Sequence, residues 1–146
     1  MKVDLKHCSG CTACKEICPI NAIEMRADEH GFVYPVINET SCIHCGKCEQ
    51  VCACMKVYYP EDSNFETFAY IHKDKNVLRN SSSGGLFTGI TDVVLECGGV
   101  IYGAAFDNEL QVHHKRADNK QQRDAMRGSK YVQSYLDDTL QSIKED

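Results

Sequence analysis

The sequence contains near its amino terminus the run Cys8-Ser9-Gly10-Cys11-Thr12-Ala13-Cys14-Lys15-Glu16-Ile17-Cys18-Pro19. Its cysteines follow the spacing C-x2-C-x2-C-x3-C, and the same spacing begins again 34 residues later, at Cys42. Eight of the ten cysteines lie in these two runs. Repeated four-cysteine runs of this spacing are typical of ligands for iron–sulfur clusters.

The spacing predicts how the cysteines are shared between two 4Fe-4S clusters. Three cysteines separated by two residues can wrap one cube, while the fourth is carried away and reaches the other cube. The first cluster is therefore assigned Cys8, Cys11, Cys14 and Cys52, and the second Cys42, Cys45, Cys48 and Cys18. We expect Gly10 and Gly46 to let backbone N–H groups approach the sulfides.

Several residues near the runs leave alternatives open. Ala53 replaces the proline expected after the last cysteine, and Cys54 adds a thiol that could compete with Cys52. His7 and His44 flank ligand cysteines and could replace a thiolate, although polar surface is the plainer interpretation. Structural zinc would need two pairs of cysteines and does not account for the third cysteine in each run.

Composition excludes several classes of protein. The 146 residues allow one ordinary domain or two small ones. The net charge of −5, without a cluster of basic residues, argues against a nucleic-acid partner. No apolar run is long enough to insert in a membrane. The amino terminus has no apolar signal core, so we expect a cytoplasmic, reducing setting in which cysteines bind metal.

We predict a two-cluster domain over residues 1–57, a polar linker over 58–66 and a second region over 67–146. In the first domain, Pro19–Ile23 is predicted as a short helix, and Ile23–Met25 and Phe32–Ile37 as strands joined by a turn. Pro35 indicates that the later strand lies at an edge.

The second region has ordinary periodic patterns. The alternation in Phe68–His72 predicts a half-buried strand. We further predict an apolar-faced helix from Leu86 to Cys97 that is ended by Gly98 and has Cys97 in the core. A strand pair over residues 100–106 and 110–115 and a helix capped by Asn119 should follow. The last predicted helix has Leu136, Leu140 and Ile143 on one face. The chain ends inside that helix, so we expect this region to continue in a longer protein.

Two loops of the second region are candidates for ligand binding. Ser81-Ser82-Ser83-Gly84-Gly85 precedes a helix, whose amino terminus suits an anion. Arg127-Gly128-Ser129-Lys130-Tyr131 adds two cations and an aromatic ring to a glycine turn. Plain helix capping and a solvated loop are the alternative interpretations.

These stretches resemble two known families. Residues 5–55 are similar to bacterial-type ferredoxins with two 4Fe-4S clusters, which implies outer-sphere transfer of single electrons. The stretches Ser81–Thr88, Gly98–Phe106 and Arg127–Ser134 look like the amino-terminal region of the coenzyme F-420 (deazaflavin) hydrogenase/dehydrogenase beta-subunit family.

The second resemblance implies a flavin cofactor, FAD, next to the clusters. It implies flavin contacts from the two loops, namely Ser82, Ser83, Gly84, Gly85, Ser129, Lys130 and Tyr131. Members of that family continue well beyond this length, so a partner chain would have to supply the remaining part of the flavin pocket.

Together these features predict an α+β protein with a ferredoxin-like two-cluster head followed by a small, apparently truncated mixed α/β region. We expect it to pass single electrons between redox partner proteins, toward a flavin-type oxidoreductase domain. The alternatives are a flavin-linked or deazaflavin-linked oxidoreductase completed by a partner chain, and a cluster-stabilised or zinc-stabilised interaction module.

Overall fold

The computed structural model describes residues 5–55 and 66–146, and the chain divides into two units, Met1–Ser63 and Asn64–Asp146. Residues 58–65 of the predicted linker lie outside the described residues, and the division at 1–57, 58–66 and 67–146 stays a prediction. Within the described ranges, no helix combines the length and the apolar character that crossing a bilayer requires. The elements are helices and small antiparallel sheets, a mixed α+β composition.

The first unit is built from short elements. In chain order they are a 3-10 turn at Leu5–His7, α1 at Ala13–Glu16, β1 at Ile23–Ala27, β2 at Val33–Ile37, α2 at Lys47–Val51 and a 3-10 turn at Ala53–Met55. Helix α1 lies against α2, and β1 lies near α1. Within residues 5–55 no helix exceeds five residues, so hydrogen bonding within these helices contributes little stability of its own.

Strands β1 and β2 form an antiparallel hairpin in which Ile23 is opposite Ile37 and Met25 is opposite Pro35. The turn forms because the Asp28 carboxylate accepts hydrogen bonds from the backbone N–H groups of His30 and Phe32, both at 2.9 Å. The predicted strand pair, its turn and the edge position of Pro35 are therefore confirmed.

The helix predicted over Pro19–Ile23 is wrong. The backbone N–H of Asn21 donates to the carbonyl of Cys18 at 3.3 Å, which closes a single turn. Asn21 then has a left-handed φ of 52°, a conformation that stops helix propagation. Ile23 already belongs to β1.

The second unit contains four helices and one hairpin among its described residues. The helices are α3 at Lys75–Arg79, α4 at Leu86–Glu96, α5 at Lys120–Asp124 and α6 at Thr139–Glu145. Strands β3, Ile101–Phe106, and β4, Val112–Ala117, pair antiparallel with Ile101 opposite Ala117. The predicted strand pair is present, but its second strand begins two residues later than predicted, because Leu110 belongs to the turn with a left-handed φ of 63°.

The core of the second unit lies beside this hairpin. Its buried members are Ile101, Ala105, Ala117 and Met126, with Val94 and Leu95 of α4 packed against them. The predicted cap of α5 is present, since Asn119 Oδ1 accepts from the backbone N–H of Gln122 at 3.0 Å. Gln122 Oε1 in turn accepts from the N–H of Asp118 at 3.1 Å.

The strand predicted over Phe68–His72 is wrong. These residues belong to no strand, and Phe68 is 81% exposed. The backbone N–H of His72 instead donates to the carbonyl of Gly84 at 2.8 Å. A side chain at Gly84 would place its Cβ 2.1 Å from the Tyr70 carbonyl oxygen. In this segment the backbone of Tyr70 and His72 therefore packs against Gly84, in the loop of residues 81–85, and not against a neighbouring strand.

Helix α4 confirms its predicted position but not its predicted buried face. It ends with Cys97 as cap and Gly98 at a left-handed φ of 75°. Its buried residues are Thr88 and Thr91. Of the face predicted to be apolar core, Val94 packs against the core, whereas Leu86, Ile90, Val93 and Cys97 are exposed. The prediction that Cys97 belongs to the core is therefore wrong.

The buried threonines are explained by Arg123 of α5, which is only 2% exposed. Its guanidinium donates to the carbonyl of Thr88 at 3.2 Å and to Thr91 Oγ1 at 2.5 Å. It also donates to the carboxylates of Asp92 at 2.9 Å and Asp124 at 2.7 Å. A buried cation needs polar partners, and this requirement turns the polar face of α4 inward.

Candidate metal centres

The two cysteine runs share an unusual backbone conformation. Residues two and four positions after the first cysteine have a left-handed φ in both runs: Gly10 at 67° and Thr12 at 60°, then His44 at 53° and Gly46 at 73°. A helix follows at the same offset in each run, α1 after Thr12 and α2 after Gly46. Turns with such residues are typical of backbone concavities that bind anions.

The sequence indicated only half of this pattern. Gly10 and Gly46 were expected to allow close approach of the backbone, but they occupy different positions in the two runs. Their counterparts are His44 and Thr12, which adopt the same left-handed conformation without being glycine. Because non-glycine residues rarely do so, composition alone gives no signal for them.

The first cavity combines cysteines from both runs. It measures about 20 Å³ and is lined by Cys8, Cys11, Cys14, Cys52 and Cys54, together with Ser9, Gly10, Thr12, Ala13, Met25 and Pro35. Three of its cysteines come from the first run, and Cys52 is the last of the second. The cavity thus contains all four cysteines assigned by spacing to the first cluster.

The second cavity, of about 120 Å³, shows the reciprocal arrangement. Cys42, Cys45 and Cys48 line it, and Cys18 joins them from the first run. His44 also lines this cavity, with its Nδ1 4.0 Å from Cys42 Sγ. The walls of both cavities support the crossed assignment, which stays a prediction for the individual ligands.

The buried residues of the first unit all face these two cavities. Among its described side chains, the buried positions are Gly10, Ala22, Ile23 and Pro35. Gly10 and Pro35 line the first cavity, and Ala22 and Ile23 line the second. A unit of this size buries a smaller fraction of its surface than a larger unit does and is only marginally stable by itself, so bound groups at the two cavities would complete its core.

Each assigned set of four cysteines lines the wall of one cavity. In the part of the chain that the structure describes, no three Cys, His, Asp or Glu side chains are placed to hold a single metal ion. Four thiols distributed around a cavity wall suit a polyatomic cluster, which has four separate corners to bind. The donor set and its distribution therefore fit 4Fe-4S clusters.

The protonation of one candidate ligand depends on burial. Desolvation raises the pKa of Cys14 to about 11, and the nearby thiols of Cys11 and Cys8 act in the same direction. Burial therefore favours the neutral form of this thiol further. Binding of iron would release its proton.

One candidate ligand already accepts a hydrogen bond. The backbone N–H of Ala22 donates to Cys18 Sγ at 3.3 Å. Donation to a ligand sulfur stabilises negative charge there, which is one way in which a protein tunes the potential of a cluster. The turn at Asn21 that replaces the predicted helix brings this N–H back toward Cys18.

Cys54 lies beside Cys52 on the wall of the first cavity, in the 3-10 turn Ala53–Met55. The structure thus brings both thiols to one site. His7, the other histidine considered as a ligand, lines neither cavity.

The second unit contains a further cavity, the serine cavity, of about 270 Å³. It is lined by Ser81–Ser83, Gly85, the first residues of α4, and the loop Met126–Ser129. The structure therefore brings together the two loops that the sequence singled out. Of the seven predicted flavin contacts, Ser82, Ser83, Gly85 and Ser129 line this cavity.

The other three predicted contacts lie elsewhere. Gly84 packs its backbone against Tyr70, and Tyr131 is 94% exposed. Lys130 Nζ donates to the carbonyls of Met126 and Arg127, both at 2.9 Å. Burial lowers the pKa of this amine. Lys130 thus caps a loop and does not line the cavity.

Arg127 provides the positive charge on the wall of the serine cavity. Its Nε donates to Thr88 Oγ1 at 3.1 Å, and its guanidinium lies 2.8 Å from the Asp124 carboxylate. Arg127 belongs to the loop predicted to bind a ligand, although it was not among the seven predicted flavin contacts. Its position next to the glycine turn at Gly128 was the feature of the sequence that could have indicated this role.

Comparison with known proteins identifies the first unit. The family model of the 4Fe-4S dicluster domain matches residues 7–55. A ferredoxin named 7Fe from Hydrogenibacillus schlegelii is 30% identical over 67 residues, which cover 46% of this chain and 80% of the relative. A ferredoxin of Alicyclobacillus acidocaldarius is 33% identical over 67 residues, with the same two coverages.

A longer relative matches more closely over a shorter stretch. An uncharacterized ferredoxin of Methanocaldococcus jannaschii is 45% identical over 47 residues, which cover 32% of this chain and 25% of that protein. This chain therefore spans about a quarter of the length of that relative. Because this chain covers 80% of the Hydrogenibacillus and Alicyclobacillus ferredoxins at 30% and 33% identity, it belongs to the ferredoxin family and contains an iron–sulfur domain of the 4Fe-4S dicluster type.

Proposed function

We propose that the first unit passes single electrons through two 4Fe-4S clusters held by crossed ligands. Cys8, Cys11, Cys14 and Cys52 hold the first cluster, and Cys42, Cys45, Cys48 and Cys18 hold the second. The observation that carries this proposal is the grouping of the cysteines around two cavities. We place the protein in the reducing cytoplasm, between a donor and an acceptor protein.

A bound cluster supplies a one-electron couple, and the chain supplies its environment. The cysteines fix the clusters within one small unit, and Ala22 donates its backbone N–H to Cys18. Ile23 and Pro35 exclude water from the inner sides of the cavities. Outer-sphere transfer requires no acid or base, so potential and distance are the properties that this unit controls.

Anaerobic purification provides the primary test. The protein should be brown, should contain iron and acid-labile sulfide for two clusters, and should bleach reversibly with dithionite. Colourless protein containing stoichiometric zinc would contradict the proposal. Iron without reversible bleaching would favour a cluster-stabilised interaction module.

We also propose that the second unit corresponds to the amino-terminal region of a deazaflavin hydrogenase/dehydrogenase beta subunit and borders a flavin. The supporting observation is the serine cavity, where Ser82, Ser83, Gly85 and Ser129 meet at the start of α4 beside Arg127. Backbone N–H groups at a helix start and a nearby guanidinium suit the pyrophosphate of FAD. A partner chain would complete the pocket, which would make the assembly an oxidoreductase.

Reconstitution tests this second function independently of the first. The chain is incubated with excess FAD, separated from free flavin, and denatured to measure released flavin. Retention that falls in Arg127→Met but not in Tyr131→Ala, a variant of an exposed residue outside the cavity, would support the proposal. Absence of bound flavin in the wild type would leave the electron carrier as the function.

A further inference from the structure

Thr12 combines two unfavourable features at one residue. Its φ of 60° is left-handed, which is a genuine outlier for a β-branched side chain. Its Oγ1 is also buried and has no hydrogen-bond partner. Among residues 5–55 and 66–146, it is the one buried side-chain oxygen or nitrogen in this condition. Both features destabilise a folded chain unless something compensates for them.

The second run shows that the backbone does not require threonine at this position. Gly46 occupies the equivalent place, with a φ of 73° and a helix beginning at the next residue. Glycine adopts this conformation without strain, and it has no hydroxyl group to satisfy. The same local fold is therefore available at lower cost, and the reason for a threonine must lie in its side chain.

Helix capping does not explain the side chain either. Thr12 precedes α1, but its hydroxyl makes no capping hydrogen bond. A threonine cap normally has extended backbone angles that direct its oxygen to the N–H groups of the helix. The Thr12 carbonyl accepts from the N–H groups of Lys15 and Glu16 at 2.8 and 3.1 Å, so the backbone of Thr12 begins the helix without a contribution from its hydroxyl.

The surroundings of Thr12 indicate what that partner is. Thr12 lines the first cavity together with Cys8, Cys11 and Cys14. The cysteine side chains are sulfur acceptors, and a cluster bound there would add inorganic sulfides. A hydroxyl group can donate one hydrogen bond, and sulfurs carrying negative charge are the acceptors that this cavity provides.

We propose that Thr12 Oγ1–H donates a hydrogen bond to a sulfur of the first cluster, either a sulfide or a ligand thiolate, and raises the reduction potential of that cluster. This inference rests on the proposed electron-transfer function. Reduction adds one electron and its negative charge to the cluster, and no proton moves. A donor aimed at the cluster in a desolvated site therefore stabilises the reduced form more than the oxidised form.

Three replacements separate this role from a structural one. Thr12→Gly removes both the hydroxyl and the strain and copies the second run, Thr12→Val removes only the hydroxyl, and Thr12→Ser keeps it. Each protein is analysed anaerobically for iron and sulfide, and both potentials are measured by titration monitored by electron paramagnetic resonance.

We expect one of the two potentials to become more negative in Thr12→Gly and Thr12→Val, while the other stays unchanged. The shift should correspond to about a three- to tenfold change in the ratio of oxidised to reduced cluster, where tenfold equals about 59 mV for a one-electron couple. Thr12→Ser should retain the wild-type potential. Thr12→Gly should resist thermal unfolding at least as well as the wild type.

A second readout detects the hydrogen directly. In deuterated solvent, pulsed electron paramagnetic resonance of the reduced wild-type protein should show an exchangeable deuteron coupled to one cluster, and that coupling should be absent from Thr12→Val. Unchanged potentials in both Thr12→Gly and Thr12→Val would overturn the proposal. Loss of iron from Thr12→Gly would also overturn it, because Thr12 would then hold the cluster and not tune it.

The composition of the wild-type protein separates this inference from the function on which it rests. Wild-type protein without iron and sulfide would overturn both. Two intact clusters whose potentials do not respond to Thr12 would overturn the hydrogen bond alone and leave the electron-transfer function in place.

Discussion

Cys18 accepts a hydrogen bond from the backbone N–H of Ala22 at 3.3 Å, and both residues line the cavity of the other cysteine run. The turn after Cys18 therefore directs the end of the first run toward the second run. This relationship gives the crossed ligand assignment a consequence that can be measured with pairs of replacements.

Pairs of cysteine replacements should distinguish crossed from uncrossed ligation. Cys18→Ala combined with Cys45→Ala should damage only the second cluster, because both residues belong to its cavity. Cys18→Ala combined with Cys11→Ala should damage both clusters. Iron and sulfide per chain, measured anaerobically, should be about half of the wild-type content in the first case and close to none in the second.

The two double variants are matched in the number of thiols removed, and Cys97→Ala serves as a control because Cys97 is exposed in the second unit. The opposite order of iron loss would mean that each run binds its own cluster. In that case the cavity walls would not reflect the ligands.

Cys52 and Cys54 both lie on the wall of the first cavity, where spacing assigns one of them, Cys52, to the first cluster. Because the x3 spacing of Cys52 matches that of Cys18, we expect Cys54→Ala to leave iron and sulfide unchanged and Cys52→Ala to lower both. The reverse result would identify Cys54 as the ligand. Loss only in the double variant would show that either thiol suffices, which also contradicts the prediction.

Replacement of Arg123 should destabilise the second unit. Arg123→Met preserves much of the volume but removes the donor to the Thr88 carbonyl, Thr91 Oγ1 and the Asp92 carboxylate. Because the guanidinium is 2% exposed, we expect a loss of about 2–4 kcal/mol in the free energy of unfolding. Denaturant unfolding followed by circular dichroism, at constant iron content, provides the measurement.

Arg116→Met is the matched control for this experiment. The Arg116 side chain is 39% exposed and pairs with the carboxylates of Asp118 and Asp146, so its removal should cost about 0–1 kcal/mol. Equal losses in the two variants would mean that burial does not distinguish these two arginines.

The ionisation of Asp92 should depend on Arg123. Desolvation opposes ionisation, but the hydrogen bond and charge of Arg123, together with Lys120, outweigh it and lower the pKa of Asp92 from its ordinary value of 3.8. Because the pKa is lowered in the folded state, the resulting stability is fully present above pH 3.8. It is lost as pH falls through the lowered value.

A pH titration of the Asp92 carboxyl carbon by nuclear magnetic resonance checks this prediction. The pKa should rise toward 3.8 in Arg123→Met and stay at the wild-type value in Arg116→Met. A lowered pKa that survives in Arg123→Met would assign the effect to Lys120, whose Nζ lies 3.5 Å from Asp92 Oδ1.

Local signals were sufficient to predict much of the fold. The Asp28 turn, the Asn119 cap and the glycine end of α4 each depend on hydrogen bonds or backbone angles within a few residues. Such features follow from residue type and spacing. The spacing of the repeat also predicted which cysteines line each cavity, while the ligand assignment itself stays a prediction.

Features that depend on distant partners were not predicted. The buried face of α4 is set by Arg123, which is 32 positions away from Thr91. No pattern within the sequence of α4 predicts that its threonines are buried. Phe68–His72 alternates like a strand, but no strand of the described residues pairs with it. The left-handed angles of Thr12 and His44 likewise arise from the closed shape of each cysteine run.

The shared walls of the two cysteine cavities also constrain the order in which the protein can mature during synthesis. The first cavity includes Cys52, so it is incomplete while the ribosome has translated only the first run. The second cavity includes Cys18, but it is incomplete until Cys48 has been translated. Both sites are therefore completed within a few codons of each other, and the nascent chain becomes competent to receive its two clusters almost at once.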